Sequence, residues 1–138
     1  MEKIAQYEEL LNERLKVELQ QVSDERDTQY ERVSQLLELR NNIRMLQEQN
    51  KTSLKTQVNL GSDFYVQAAV PDTSSIYVSV GLGFHVQLTL DEAVQFCTKR
   101  EAHHSAAAEA LTQKAARLKA RIKLVVAAID ELQGGQSR

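Results

Sequence analysis

The stretch from Val58 to Leu88, VNLGSDFYVQAAVPDTSSIYVSVGLGFHVQL, limits the fold more than any other. It holds three of the five glycines and the only proline, between two long charged segments that contain neither until Gly134. Apolar residues recur here in steps of two, at Phe64, Val66, Ala68 and Val70, then Ile76, Val78 and Val80, then Phe84, Val86 and Leu88. This is the period of half-buried strands, so four strands are expected. Gly61-Ser62-Asp63 parts a first strand, about 56–60, from the second, and Gly81-Leu82-Gly83 parts the third from the fourth. Both loops have hairpin length and can supply positive φ. Pro71-Asp72-Thr73-Ser74-Ser75 combines a fixed φ with short hydrogen-bonding side chains and reads as the hinge between two hairpins.

The flanks are helical in pattern. From Ile4, apolar residues follow at Tyr7, Leu11, Leu15, Leu19 and Val22, then at Tyr30, Val33, Leu37, Ile43 and Leu46, a narrow stripe that allows a helix over about 4–54. A stripe of that length needs a partner helix. Thr89-Leu90-Asp91-Glu92 opens one, with Thr89 able to cap the amide of Glu92. Leu90, Val94, Cys97, Glu101, His104, Ala108, Leu111, Ala115, Leu118, Ile122, Val125, Ile129 and Leu132 then alternate steps of four and three. This heptad seam predicts a helix over about 90–133, stopped by Gly134-Gly135 and followed by a short tail, 134–138.

The fold class expected is therefore α+β, two long antiparallel coiled-coil helices joined by two β-hairpins, in a single domain over 1–138. With Leu54 opposite Leu90 facing residue numbers sum to about 144, falling to about 136 if Ile4 meets Leu132, and at a sum near 141 Arg40 would meet Glu101. Lys114, Arg117, Lys119, Arg121 and Lys123 would then lie beside Glu18, Asp24, Glu25 and Asp27.

That pairing neutralises the basic cluster, and a net charge of -2 gives no global attraction for nucleic acid or an anionic membrane. Neither partner is expected. The lone Cys97 excludes an internal disulfide framework and suits a reducing compartment. The acidic, amphipathic start is unlike a signal or transit peptide, so a soluble intracellular protein is expected.

Catalytic patterns are absent. Cys97, Glu101 and His104 share a helical face and are zinc-ligand types, but no second cluster completes a site, and they read as seam residues. His85 alternates outward with no nucleophile motif nearby, and Gly81-Leu82-Gly83 lacks the rest of a dinucleotide fingerprint. No enzyme, metal or cofactor is expected.

Two hairpins with apolar faces are marginal alone and invite pairing with other chains. The residues expected to form a shared β-barrel core are Leu60, Phe64, Val66, Val70, Ile76, Val78, Val80, Phe84, Val86 and Leu88. At the other end, Ile4, Tyr7, Leu11, Ile129 and Leu132 form a candidate tip for binding exposed hydrophobic segments of clients.

Helix, two hairpins, helix, with VPDTSSIYVSVGLGFHVQLTLDEAVQF across the second hairpin and into the second helix, resembles an α-class prefoldin subunit; β-class subunits have one hairpin. LELRNNIRMLQE, QVNLGSDFYVQAAVPDTSSIYV and the ELQGGQ ending look like the same class, most strongly over Leu36 to Phe96. The resemblance implies a hetero-oligomer in which α- and β-class hairpins build a barrel and coiled-coil arms hold unfolded clients without ATP. It implies partners among other prefoldin or prefoldin-like subunits, a URI-type subunit included, with roles in the cytoplasm and nucleus, the centrosome and transcription coregulation. Ordinary prefoldin, delivering clients to the cytosolic chaperonin, and a coiled-coil scaffold without chaperone activity are the alternatives.

Overall fold

The computed structural model describes residues 1–50 and 52–136. The chain runs α1 (Glu2–Glu9), a π-helical turn (Leu10–Leu15), α2 (Lys16–Glu48), β1 (Leu54–Gly61), β2 (Phe64–Val70), β3 (Ser75–Gly81), β4 (Phe84–Thr89) and α3 (Leu90–Gln136). β1 pairs antiparallel with β2, and β3 with β4, as two separate two-stranded sheets. Two compact units result, Met1–Val33 with His103–Arg138, and Ser34–Ala102.

Three boundaries differ from the sequence pattern, each for a local reason. α2 ends at Glu48, before the expected Leu54, because Asn50 takes a left-handed φ of 48° and its N–H turns back to the carbonyl of Gln47 at 3.3 Å. Asparagine is the commonest residue after glycine to end a helix in this way. α3 passes through Gly134 and Gly135 to Gln136. Glycine permits a helix to stop but does not compel it. Of the expected tail, residues 137 and 138 lie outside the described residues.

The third difference is the π-helical turn. From Tyr7 to Leu11, Leu15 and Leu19 the apolar steps are four, four and four, one residue more than a three-four alternation allows. The surplus is taken up where the Lys16 N–H donates to the carbonyl of Leu11, five residues back, and Leu11 and Leu15 both stay buried. A π-turn of this kind inserts one residue without breaking the helix.

The core of Ser34–Ala102 is built on Ile43, Val78, Ala93 and Cys97, with Leu36, Leu39, Ile76, Leu88, Leu90, Val94 and Phe96 packed around them. Helices and second hairpin meet here. Thr89 Oγ1 accepts from the Glu92 N–H at 3.2 Å, so the expected cap fixes where β4 becomes α3. The hinge is tied down as well: the Thr73 N–H donates to the carbonyl of Thr52 at 3.1 Å, and the Ser74 N–H donates to Asp72 Oδ1 at 2.9 Å. Gln47 Nε2 donates to Asp91 Oδ1 at 2.8 Å, and Arg40 Nη1 donates to Thr98 Oγ1 at 3.5 Å.

In Met1–Val33 with His103–Arg138, the core is Leu15, Val22, Ala115 and Leu118, flanked by Leu10, Leu19, Leu111, Ile122 and Val125. Ala108 and Ala115 are buried seam positions where a small side chain lets the helices approach closely. Buried His104 meets Gln29 Oε1 through Nδ1 at 2.7 Å, and Lys114 Nζ pairs with Glu18 at 3.5 Å.

The expected register is corrected by these contacts. It took the helix to extend to Leu54 with Leu90 opposite, whereas Gln47 lies beside Asp91 in one unit and Glu18 beside Lys114 in the other.

Deleting Asn12 should convert Leu10–Leu15 to ordinary α-helix and restore a three-four seam from Ile4 to Val22. The expected result is a Tm that is unchanged or raised, measured by circular dichroism. A fall of more than about 5 °C, on the order of 1 kcal/mol for a chain of this size, would show that the wide turn itself stabilises the fold.

Candidate functional site

Each hairpin closes on two residues with positive φ, Ser62 (51°) with Asp63 (62°) and Leu82 (53°) with Gly83 (77°), which is the type I′ pattern. The strands around them register alike. Val58 faces Val66 and Asn59 faces Tyr65, while Val78 faces Val86 and Ser79 faces His85, and each register shifts by one residue at Gly61 or Gly81. Those glycines sit at φ of 117° and 106°, where a side chain would strain the backbone.

These pairs sort the side chains. Leu54, Val58, Leu60, Phe64, Val66 and Val70 share one face of the first hairpin, and Ile76, Val78, Val80, Phe84, Val86 and Leu88 one face of the second. The opposite faces carry Lys55, Gln57, Asn59, Tyr65 and Gln67, and Tyr77, Ser79, His85 and Gln87.

The ten residues expected to form a shared barrel core divide along the strands. Ile76, Val78 and Leu88 are taken up by the chain's own core, Val78 with only 6% of its surface exposed, and Val70 is half-buried. Toward the tips the described residues leave the apolar face partly or largely uncovered. Leu60 is 70% exposed, Phe64 73% and Phe84 67%, with Val66, Val80 and Val86 also exposed. A two-stranded sheet with such a face and open edges is a surface built to be covered.

The sequence carries a further signal for this arrangement. The pattern V-x-(L/V)-G-x-x-F-x-V-Q runs from Val58 to Gln67 and again from Val78 to Gln87. The hairpins are two versions of one unit, with Ser62 in one where Leu82 stands in the other.

The candidate client tip is less uniform. Leu11 and Ile129 are buried in the helix seam, Ile4 and Leu132 are half-buried, and Tyr7 is exposed. Tyr7 and Leu132 line a shallow depression with Lys3, Ala128 and Glu131. Leu124 and Val17 are more exposed than any of the five and were missed because they fall off the heptad seam.

The basic cluster is not neutralised as expected. Lys114 pairs with Glu18, and Arg117 and Arg121 line the depression around that same carboxylate. Asp24 instead accepts from Gln20 Nε2 at 2.9 Å, and Glu25 and Asp27 are exposed.

Among the described residues no three potential ligands come together as a metal site. Cys97 belongs to the apolar core, and His104 to its contact with Gln29 and an edge-on ring contact with His103. Burial pushes the Cys97 thiol above its ordinary pKa, opposed in part by the charge of Arg40. No helix among the described residues is long and apolar enough to cross a membrane.

Two helical arms, a pair of hairpins between them and a bare apolar sheet face define the α-type prefoldin architecture. The match to the family model "Prefoldin subunit" extends over residues 15–135, and the chain belongs to the prefoldin family. Within that family its relatives include Protein UXT of Rattus norvegicus, 42% identical over 99% of this chain and 87% of the relative. A Protein UXT homolog of Dictyostelium discoideum is 40% identical over 96% and 83%. Prefoldin subunit alpha of Pyrococcus horikoshii is more distant, 29% identical over 70% of this chain and 63% of its own length. A chain of filamentous PFD from Methanocaldococcus jannaschii superimposes with a TM-score of 0.64 over 85% of this chain and 98% of its own, at 22% identity.

In the folded protein Cys97 should react with a disulfide reagent at pH 8 at least ~100-fold more slowly than a free cysteine, since both burial and a raised pKa suppress the thiolate. Labelling followed by mass spectrometry checks this. Reaction at the free-thiol rate without unfolding would contradict the core drawn around Cys97.

Proposed function

We propose that this chain is an α-type subunit of a hetero-oligomeric prefoldin-like complex of the URI/UXT kind. In that role it binds unfolded or unassembled proteins without ATP and acts as a scaffold for their assembly. The observation that carries the reading is the bare apolar face at the end of each hairpin. Leu60, Phe64 and Phe84 are largely uncovered in the lone chain and Val66, Val80 and Val86 only half-covered, and fully covering a side chain of this size is worth roughly 1.5–3 kcal/mol. Strand edges and apolar faces together favour other prefoldin-family hairpins as the cover, with a URI-type subunit among the partners.

The fold is of a chaperone type and not an enzymatic one. Similarity to proteins named UXT over nearly the whole chain supports the prefoldin-like complex ahead of ordinary prefoldin. Residence in both cytoplasm and nucleus, with transcription coregulation and a centrosomal association, belongs to the same reading. In the scaffold alternative the helices bind transcription factors and no client is held.

Affinity purification of the tagged chain under mild conditions, with mass spectrometry, is the direct test. Recovery of URI-type and β-class subunits without the ordinary prefoldin α subunit is expected, and recovery of a complete ordinary prefoldin would overturn the choice of complex. A reconstituted complex should slow the aggregation of an unfolded protein; failure to do so while transcription factors still bind would favour the scaffold. Phe64→Asp and Phe84→Asp should each weaken recovery of β-class subunits by about tenfold or more, the scale of losing a buried aromatic at an interface, with helical content unchanged.

A further inference from the structure

The two hairpins repeat one pattern but differ at the first residue of the turn. Ser62 stands there in the first, at φ 51°, and Leu82 in the second, at φ 53°. Serine, short and polar, suits an exposed turn. Leucine does not, because a bulky side chain at positive φ crowds its own backbone, and this is a position where asparagine, aspartate and glycine are favoured.

Leu82 gets nothing back within the chain. It is 97% exposed, the barest large hydrophobic residue of the structure. Turn closure does not need it either, since Gly83 supplies the second positive φ and Gly81 the bulge before the turn. Its neighbours across the bulge and along the strands, Val80, Phe84 and Val86, form the exposed part of the apolar face. Leu82 therefore stands in the turn beyond the last paired residues of that face, almost wholly uncovered and available to the body of another molecule.

We propose that Leu82 is a specificity-determining anchor, inserting from the tip of the β3–β4 hairpin into an apolar cleft of the prefoldin-family subunit that covers this hairpin. The first hairpin has no counterpart and accepts its neighbour without an anchor. The partner is a prefoldin-family subunit because the anchor is continuous with a bare sheet face and open strand edges, which an added hairpin satisfies together. This rests on the assembly reading above and adds to it which of two hairpins built on one pattern discriminates between neighbours, and by which residue.

The test uses a substitution with opposed effects. Leu82→Asn creates Asn-Gly, the most favourable type I′ pair, so the turn should hold as well or better, with Tm unchanged or raised. Binding to a β-class prefoldin subunit, measured with purified proteins by sedimentation, should nonetheless fall by about tenfold or more, as for removal of an interface anchor. Leu82→Met should keep affinity within about threefold, because volume-conserving apolar swaps are tolerated, and Ser62→Asn should leave it unchanged. If Leu82→Asn binds as tightly as the unaltered chain, the anchor is refuted while the assembly reading stands. If the unaltered chain itself binds no β-class subunit, the assembly reading falls and the anchor with it.

Discussion

The contact between Val78 and the helices is the constraint on which the rest depends. A two-stranded hairpin is marginal alone in water, and a narrow helical stripe cannot bury itself. Both are resolved where Val78 and Ile76 of β3 and Leu88 of β4 pack with Ile43, Ala93 and Cys97. The same contact sets how far the cover extends. It reaches the base of the second hairpin and stops, so the apolar alternation that the strands continue toward Phe84 is left facing solvent. An exposed apolar face follows from running out of chain to cover it.

Repetition of the hairpin pattern gives the chain two such faces. With the V-x-(L/V)-G-x-x-F-x-V-Q pattern repeated, registers, bulges and turn conformation repeat too, because each is dictated by the same glycine and the same alternation. What differs is what the turns carry and how each hairpin is held. The second is capped by Thr89 onto α3 and packed into the core, whereas no residue of the first belongs to a core cluster, and it is linked through the Thr73–Thr52 hydrogen bond beside its base.

In the Met1–Val33 and His103–Arg138 unit a different economy holds. Leu15, Val22, Ala115 and Leu118 give a core one side chain thick, with polar contacts such as Gln29 to His104 set into it. An extra residue in the first arm is absorbed by the π-turn instead of being expelled, since moving it would have turned Leu11 or Leu15 to solvent. The cations of α3 are left largely to water, with Glu18 drawn among Lys114, Arg117 and Arg121.

Local periodicity alone determined most of the architecture: strands from Phe64 to Leu88 by steps of two, α3 from Leu90 by steps of four and three, the Thr89 cap, and both turns. These are properties of neighbours in sequence, carried by backbone geometry and by one face of one element. The repeated hairpin pattern and the one-residue surplus between Tyr7 and Leu19 were equally legible. Tertiary structure alone decided which of the alternating residues are inside. Val78 and Val80 share a face and a residue type, yet the first is 6% exposed and the second 40%, because burial depends on how far the helices reach along the strand. It also decided the pairing of the helices. Within each unit that pairing brings particular side chains together, Gln47 with Asp91 in one and Glu18 with Lys114 in the other.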